Sequence, residues 1–401
     1  SEGPPGLIKQ GFDGARAWSA MHIYDAWQGG SSAAWADGRL YQLQANGFLV
    51  VVDAANGQRT ARWDAQWQPD DPVRDEGSGY VRLMDMDAHG DTLVVAHRGH
   101  DAVRWLSPAD GAVLDEAAVP APQAVAVDPH GQRVLVASRD SIVALSRAAK
   151  TPVAVITGLT DPYRLDVEDA TGEIYVFESG GSQQVKRFAA DGALRQVYGA
   201  AGGRLDGLYD PLSFRGVMDL TADQRGGFII CEGWTAPRRT ARFSQAGEVL
   251  NDWYGGQMYA NHGVADPDDP RLVWVDSQFG DIMQCEADYA ARSWRVRATY
   301  RFEGLADGFI AGTRHGGGRF RVLRREGRTY LCRQDDDPCV LMVDEAGRRL
   351  VPMVASDFNV VHDWGQPWTP RLIRELVNPG SPETSPEYDM RNVPPEHRWM
   401  E

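Results

Sequence analysis

Along most of the chain apolar and polar positions alternate in short runs, and Gly, Asp, Asn and Pro break the runs at close intervals. That is the signature of short half-buried strands joined by tight turns. The stretch 204–254 holds one complete unit: an apolar strand over 216–221, a turn ending in Gly226, a second strand over 227–231, a polar loop over 232–239, a third strand over 240–243, a turn at Gly247 and a fourth strand over 249–253. A four-stranded antiparallel meander of this size cannot bury both of its faces alone, so such units must stack on one another.

The same unit recurs. The first copy starts at 31 and is broken at Asp37-Gly38, Asn46-Gly47 and Asn56-Gly57, which are hairpin turns by chemistry. Further copies span 80–119, 122–157 and 162–199, and their first turns end in Gly90, Gly131 and Gly172, 41 residues apart both times. With 204–254 as the fifth, 262–300 as the sixth and 319–354 as the seventh, the expected fold is all-β: a seven-bladed β-propeller of four-stranded antiparallel blades with irregular terminal segments. Its expected domains are a lead-in over 1–30, the propeller over 31–355 and an extension over 356–401. Within the extension, 368–378 reads as one short helix, with Thr369 as N-cap, Pro370 at the first position, and Leu372 and Leu376 on one face.

In the third and fourth copies, the run Pro122-Gln-Ala-Val-Ala-Val-Asp128 with Gly131, and Gly172-Glu-Ile-Tyr-Val176 followed by Gln184-Val-Lys-Arg-Phe188 and Asp191-Gly192, resemble NHL-type propeller repeats. The resemblance covers about 35–320 and implies the fold. The wider propeller group it points to includes binding scaffolds, metal-dependent lactonases and lyases, so function has to be argued from a site.

Charge narrows the partners. A formal net charge of −15 over 401 residues lacks the basic footprint that nucleic acid or an anionic membrane requires. No apolar run approaches the roughly 18 residues of a membrane span. The chain opens on Ser1, read as a processed or trimmed product, and flanking domains are possible partners in the full protein. Cys332 and Cys339 flank a six-residue loop between two predicted strands, and a disulfide between them is expected, which points to a secreted or periplasmic protein.

Candidate chemistry gathers where each innermost strand begins, because in a propeller those positions line one mouth of the central channel. Eight positions before the turn glycines stand Arg82, Gln123 and Arg164, with Arg215 and His262 at about the same point in the fifth and sixth copies. If the arginines face the opening, they focus positive charge on it and select an anionic ligand, such as an acidic glycan; if they pair with neighbouring acids, they hold blades together. Trp234 and Arg238, in the loop between the second and third strands of the fifth copy, join the ligand-binding candidates.

His262, Tyr259 and Tyr254 supply proton carriers. Beside arginine, which offsets a carboxylate, they make a polysaccharide lyase acting on uronic acids an alternative reading. A purely structural or protein-interaction propeller is the third. His97-Arg-Gly-His100 has a metal-ligand spacing without a defined third ligand, and Asp335-Asp-Asp337 could hold a calcium ion through hard oxygens. The tryptophans at 63, 105, 253, 274 and 294 read as strand residues wedged between blades, whereas those in loops could stack on sugar rings.

Overall fold

The computed structural model describes residues 6–10, 16–21, 30–44, 49–63, 83–130, 132–233, 236–255, 263–276, 282–300, 320–333 and 339–355. The helix expected over 368–378 lies outside them. Among the described residues there is no α-helix, and Arg98–His100 forms a 3-10 turn. The strands among the described residues form seven antiparallel sheets, six of four strands and one of five, and a separate hairpin. This is the blade number and blade topology of a seven-bladed β-propeller.

The chain divides into two compact units: Ser1–Gly203 with Leu212–Cys231 and Thr240–Asp252, and Arg204–Pro211 with Glu232–Arg239 and Trp253–Glu401. In the first unit a hairpin of Gly6–Gln10 and Arg16–Met21 lies in the segment expected to be irregular. The first sheet is Gly30–Ala36, Arg39–Gln44, Leu49–Asp53 and Arg59–Trp63; the second is Leu83–His89, Thr92–His97, Ala102–Leu106 and Val113–Ala118. Pro122–Asp128, Arg133–Ser138, Ser141–Leu145 and Val153–Thr157 make the third, and Pro162–Val167, Ile174–Glu178, Gln184–Phe188 and Leu194–Tyr198 the fourth. The fifth is Val217–Ala222, Phe228–Glu232, Arg239–Phe243 and Val249–Tyr254, with strand ends that belong to the second unit. Each sheet is a simple meander, and the first strands of consecutive sheets are neighbours throughout this unit.

Burial follows the stacking. The second strands of sheets two to four carry apolar runs that end in one polar residue each, with every residue from Leu93 to His97, Val134 to Ser138 and Ile174 to Glu178 buried, because both faces of each sheet are covered. Their two faces serve two different interfaces. Leu93 and Val95 pack toward the first sheet, and Val94 and Ala96 toward the third. Ile174 and Val176 pack toward the third sheet, and Tyr175 and Phe177 toward the fifth. The core is thus a series of sheet-to-sheet layers, each set by the two-residue period of a strand. Outer strands such as Arg59–Trp63 and Leu194–Tyr198 are mostly exposed.

Turn chemistry closes the hairpins. Asp37 and Gly38 both have positive φ (49° and 74°), the geometry an Asp-Gly pair supplies.

In the second unit, Gly263–Ala265, Leu272–Asp276, Ile282–Asp288 and Ser293–Tyr300 form the sixth sheet, and Gly207–Leu208 adds a fifth strand to its outer edge through Gly207↔Thr299 and Leu208↔Ala298. The seventh sheet is Phe320–Arg325, Arg328–Arg333, Cys339–Asp344 and Arg349–Ala355. Trp274, Tyr300, Leu331 and Leu341 fill the layer between them. Across that layer Arg324 donates to the buried Asp266 carboxylate at 2.7 Å, and the Trp274 indole donates to the same group at 3.1 Å.

The expected disulfide does not form. Cys332 is a free cysteine. The register sets Cys332 opposite Val340 and Arg333 opposite Cys339, one position out of step, and in a sheet such positions belong to opposite faces. The support that this pair lent to an oxidising compartment goes with it. Trp63, Trp105 and Trp274 are buried as expected, whereas Trp294 is 49% exposed.

Candidate functional site

In the first unit the polar groups of the inner strands converge. Asp85 and Asp87 lie on Leu83–His89, Arg164 and Asp166 on Pro162–Val167, and Asp219 on Val217–Ala222. Each of these strands leaves one edge without a ladder partner in its own sheet, so its N–H groups need acceptors. Neighbouring carboxylates supply them. Asp85 accepts from the Val125 amide at 3.1 Å and the Ser32 hydroxyl at 2.7 Å, Asp87 from the Val127 amide at 2.7 Å, and Asp166 from the Ala222 amide at 2.8 Å and the Thr221 hydroxyl at 2.6 Å. The acids stitch the inner strands of the first three sheets in series, and that of the fourth sheet to that of the fifth.

Packing so many carboxylates together shifts their proton affinity. Desolvation pushes the Asp219 carboxyl up to about 7, with repulsion from Asp85 adding to it and Arg164 opposing it. The Asp219 side chain is 56% exposed, yet desolvation by the surrounding inner strands still outweighs the pull of Arg164. Desolvation likewise raises Asp166 to about 6, and raises Asp87 well above the ordinary range with help from Asp166. Asp85 is raised by burial and partly held back by Arg164.

Arg164, expected at a channel mouth, is the buried cation of this group. Its side chain is 6% exposed, its Nε stands 3.7 Å from Asp219 Oδ1, its Nη1 donates to the Tyr163 carbonyl at 2.9 Å, and its guanidinium sits 4.2 Å from the centre of the Tyr163 ring. Gln123 accepts from Arg98 Nη1 at 2.6 Å, a contact from the second sheet to the third. Arg215 is half-buried in the segment leading into the fifth sheet. Arg82, Trp234, Tyr259 and His262 lie outside the described residues, as does the calcium candidate Asp335-Asp-Asp337.

The second unit holds a different cluster. Glu232 ends one strand and Arg239 begins the next, so they flank the 232–239 loop. Guanidinium groups face both Glu232 oxygens as ion pairs: Arg204 Nη2 lies 3.0 Å from Oε1 and Arg239 Nε 2.5 Å from Oε2, while Arg204 Nη1 donates to Oε2 at 3.2 Å, with all three side chains fully buried. Arg239 also donates to the Tyr209 hydroxyl and to the Pro211 carbonyl, both at 2.8 Å. Burial pushes the Tyr209 phenol up, so at neutral pH it keeps its proton. Arg238, on this loop, turns back to donate to the Gly233 carbonyl at 3.0 Å, and its own carbonyl accepts from Gly255 at 3.0 Å. Tyr254 packs against Tyr209 and Trp294, with ring centres 6.3 and 5.4 Å away. The described candidates therefore fall into two groups, Gln123, Arg164 and Arg215 in one unit and Arg238 and Tyr254 in the other.

His97 is fully buried while His100 is exposed, with their rings edge to face at 4.4 Å. Among the described residues no group of three or more His, Cys, Asp or Glu could hold a metal ion. Asp85, Asp87 and Asp219 of the inner strands, and the grouping of Glu232 and Arg239 with Arg204, were missed in the sequence. The acids did leave a trace, since Asp85 and Asp87 stand two apart among Leu83, Met84, Met86 and Ala88, where a strand read as apolar should have none. Nothing marks the triad, whose members come from segments separated by up to 35 positions.

No protein family and no curated protein sequence matches the chain. Among solved structures it is similar to hydrazine synthase of Kuenenia stuttgartiensis, at 14% identity over 64% of this chain and 75% of that one, with a TM-score of 0.35. It is also similar to BamB from Moraxella catarrhalis, at 14% identity over 83% and 90%, with a TM-score of 0.33. At these values neither likeness bears on function, and the propeller is read from the sheets themselves.

Proposed function

We propose that this chain is an interaction scaffold, a propeller of the NHL-like kind its repeats resemble, and that its inner-strand polar residues hold blades together rather than bind an anionic glycan. One observation carries the reading: Arg164 is buried against Tyr163 and beside Asp219 of the next sheet, so its charge is spent inside the protein. Gln123 supports it by accepting from the preceding sheet. The outer strands supply surface for a partner, with Val153, Leu194, Val197 and Leu250 exposed on three successive sheets.

The test is a titration of hexagalacturonate, an acidic oligosaccharide, into wild type and Arg164→Ala, together with urea unfolding of both. Loss of a half-paired buried cation should lower stability by about 1 to 3 kcal/mol, and no binding should depend on Arg164. Weakened hexagalacturonate binding at unchanged stability would return the site to an anionic ligand.

A further inference from the structure

In the second unit, the hairpin joining Ile282–Asp288 to Ser293–Tyr300 ends in a groove of about 630 Å³. Two aromatic rings on it are turned outward, Tyr289 at 66% and Trp294 at 49% exposed. Neither ring is loose. The Tyr289 hydroxyl donates to the Pro270 carbonyl at 2.7 Å, which pins the ring by its far end, and Trp294 is backed by Tyr254 at 5.4 Å. An exposed aromatic fixed in this way loses little side-chain freedom when something stacks on it.

The rest of the groove is mostly polar. Arg271 forms two hydrogen bonds with Asp269, at 3.0 and 2.7 Å, and Arg295 contacts Glu286 through two nitrogens at 2.9 and 2.6 Å. Each pair keeps guanidinium N–H donors beyond the two it uses, so donors and acceptors stand side by side at the groove. The carboxylates cancel the two cations, and Asp288 adds one negative charge. An anionic ligand is disfavoured here, and a cation meets guanidinium groups.

We infer that this groove is a binding site for a neutral β-linked oligosaccharide. In β-linked glucose units, the members of this class used in the test below, every hydroxyl is equatorial, so each ring has two apolar C–H faces for Tyr289 and Trp294 and an equator of paired donors and acceptors for the two Arg–carboxylate pairs. The inference is independent of the scaffold reading, which concerns the other unit's inner strands.

Isothermal titration with cellohexaose tests it, with hexagalacturonate as the acidic control and Trp294→Ala, Tyr289→Ala and Tyr289→Phe as variants checked for an unchanged circular dichroism spectrum. Cellohexaose should bind wild type. Each alanine variant should weaken it by about tenfold or more, as a lost stacking platform does. The phenylalanine variant, which keeps the ring, should lose less. Absence of binding at millimolar cellohexaose, affinity undiminished in the alanine variants, or preference for hexagalacturonate would each overturn the inference.

Discussion

Arg204, Glu232 and Arg239 are a case of charge placed where water cannot reach it, and the geometry says what each partner does. Two guanidiniums share one carboxylate with all three side chains fully buried, and Tyr209 lies beneath both cations at 4.8 and 5.8 Å from their central carbons. Burying such a group costs several kcal/mol per ion before any attraction is recovered, so breaking it is worse than never having built it. Glu232→Ala should therefore destabilise the protein by about 3 to 5 kcal/mol in urea unfolding, since two buried cations lose their shared anion. A change under about 1 kcal/mol would mean that water reaches the cluster.

At the scale of the element, the hairpins depend on single glycines more than on propensity. Gly192 closes the turn before the last strand of the fourth sheet with φ of +88°, and a side chain there would bring its Cβ within 2.2 Å of the Val155 carbonyl of the third sheet. Both the conformation and the close approach demand glycine. Gly192→Ala should cost about 2 kcal/mol or more, read as a lowered urea midpoint. By contrast Gly38, whose Cβ would meet nothing within 4 Å, should pay only for its positive φ. The strand periodicity and the Asp-Gly and Asn-Gly turns were legible because they are local. The failed Cys332 and Cys339 pairing was not, because distance along a hairpin says nothing about which face a residue takes until the register is known.

At the scale of the whole molecule, charge and proton affinity act together. Asp166 and Asp219 have carboxyl groups raised to about 6 and about 7 in the folded protein, above the ordinary carboxylate value of an unfolded chain. The folded state then binds more protons than the unfolded one between those limits, so stability is greatest below the unfolded value and falls as pH rises through the folded ones. The net charge of −15 adds self-repulsion in the same direction. Urea midpoints should therefore decline from pH 5 to pH 8. Asp219→Asn should flatten that slope and stabilise the protein at pH 8 while changing little at pH 5. An unchanged slope in the variant would assign the decline to overall charge alone.

What the sequence determined by itself is the repeat and its consequence, the seven-bladed propeller. A two-residue period broken by glycine turns specifies strands and hairpins through interactions within a few residues, and a 41-residue spacing of Gly90, Gly131 and Gly172 repeats that instruction. What only the tertiary structure decided is the duty of each polar side chain. Arg164 reads as a mouth residue in one dimension, yet Asp219, 55 positions away, stands 3.7 Å from it, and the stacking of the next sheet made that encounter. Trp294 reads as a wedge between blades, yet it faces out of its sheet, because which side of an outer strand is covered depends on what lies beyond it. Periodicity is a property of neighbours along the chain, whereas pairing and exposure are properties of neighbours in space.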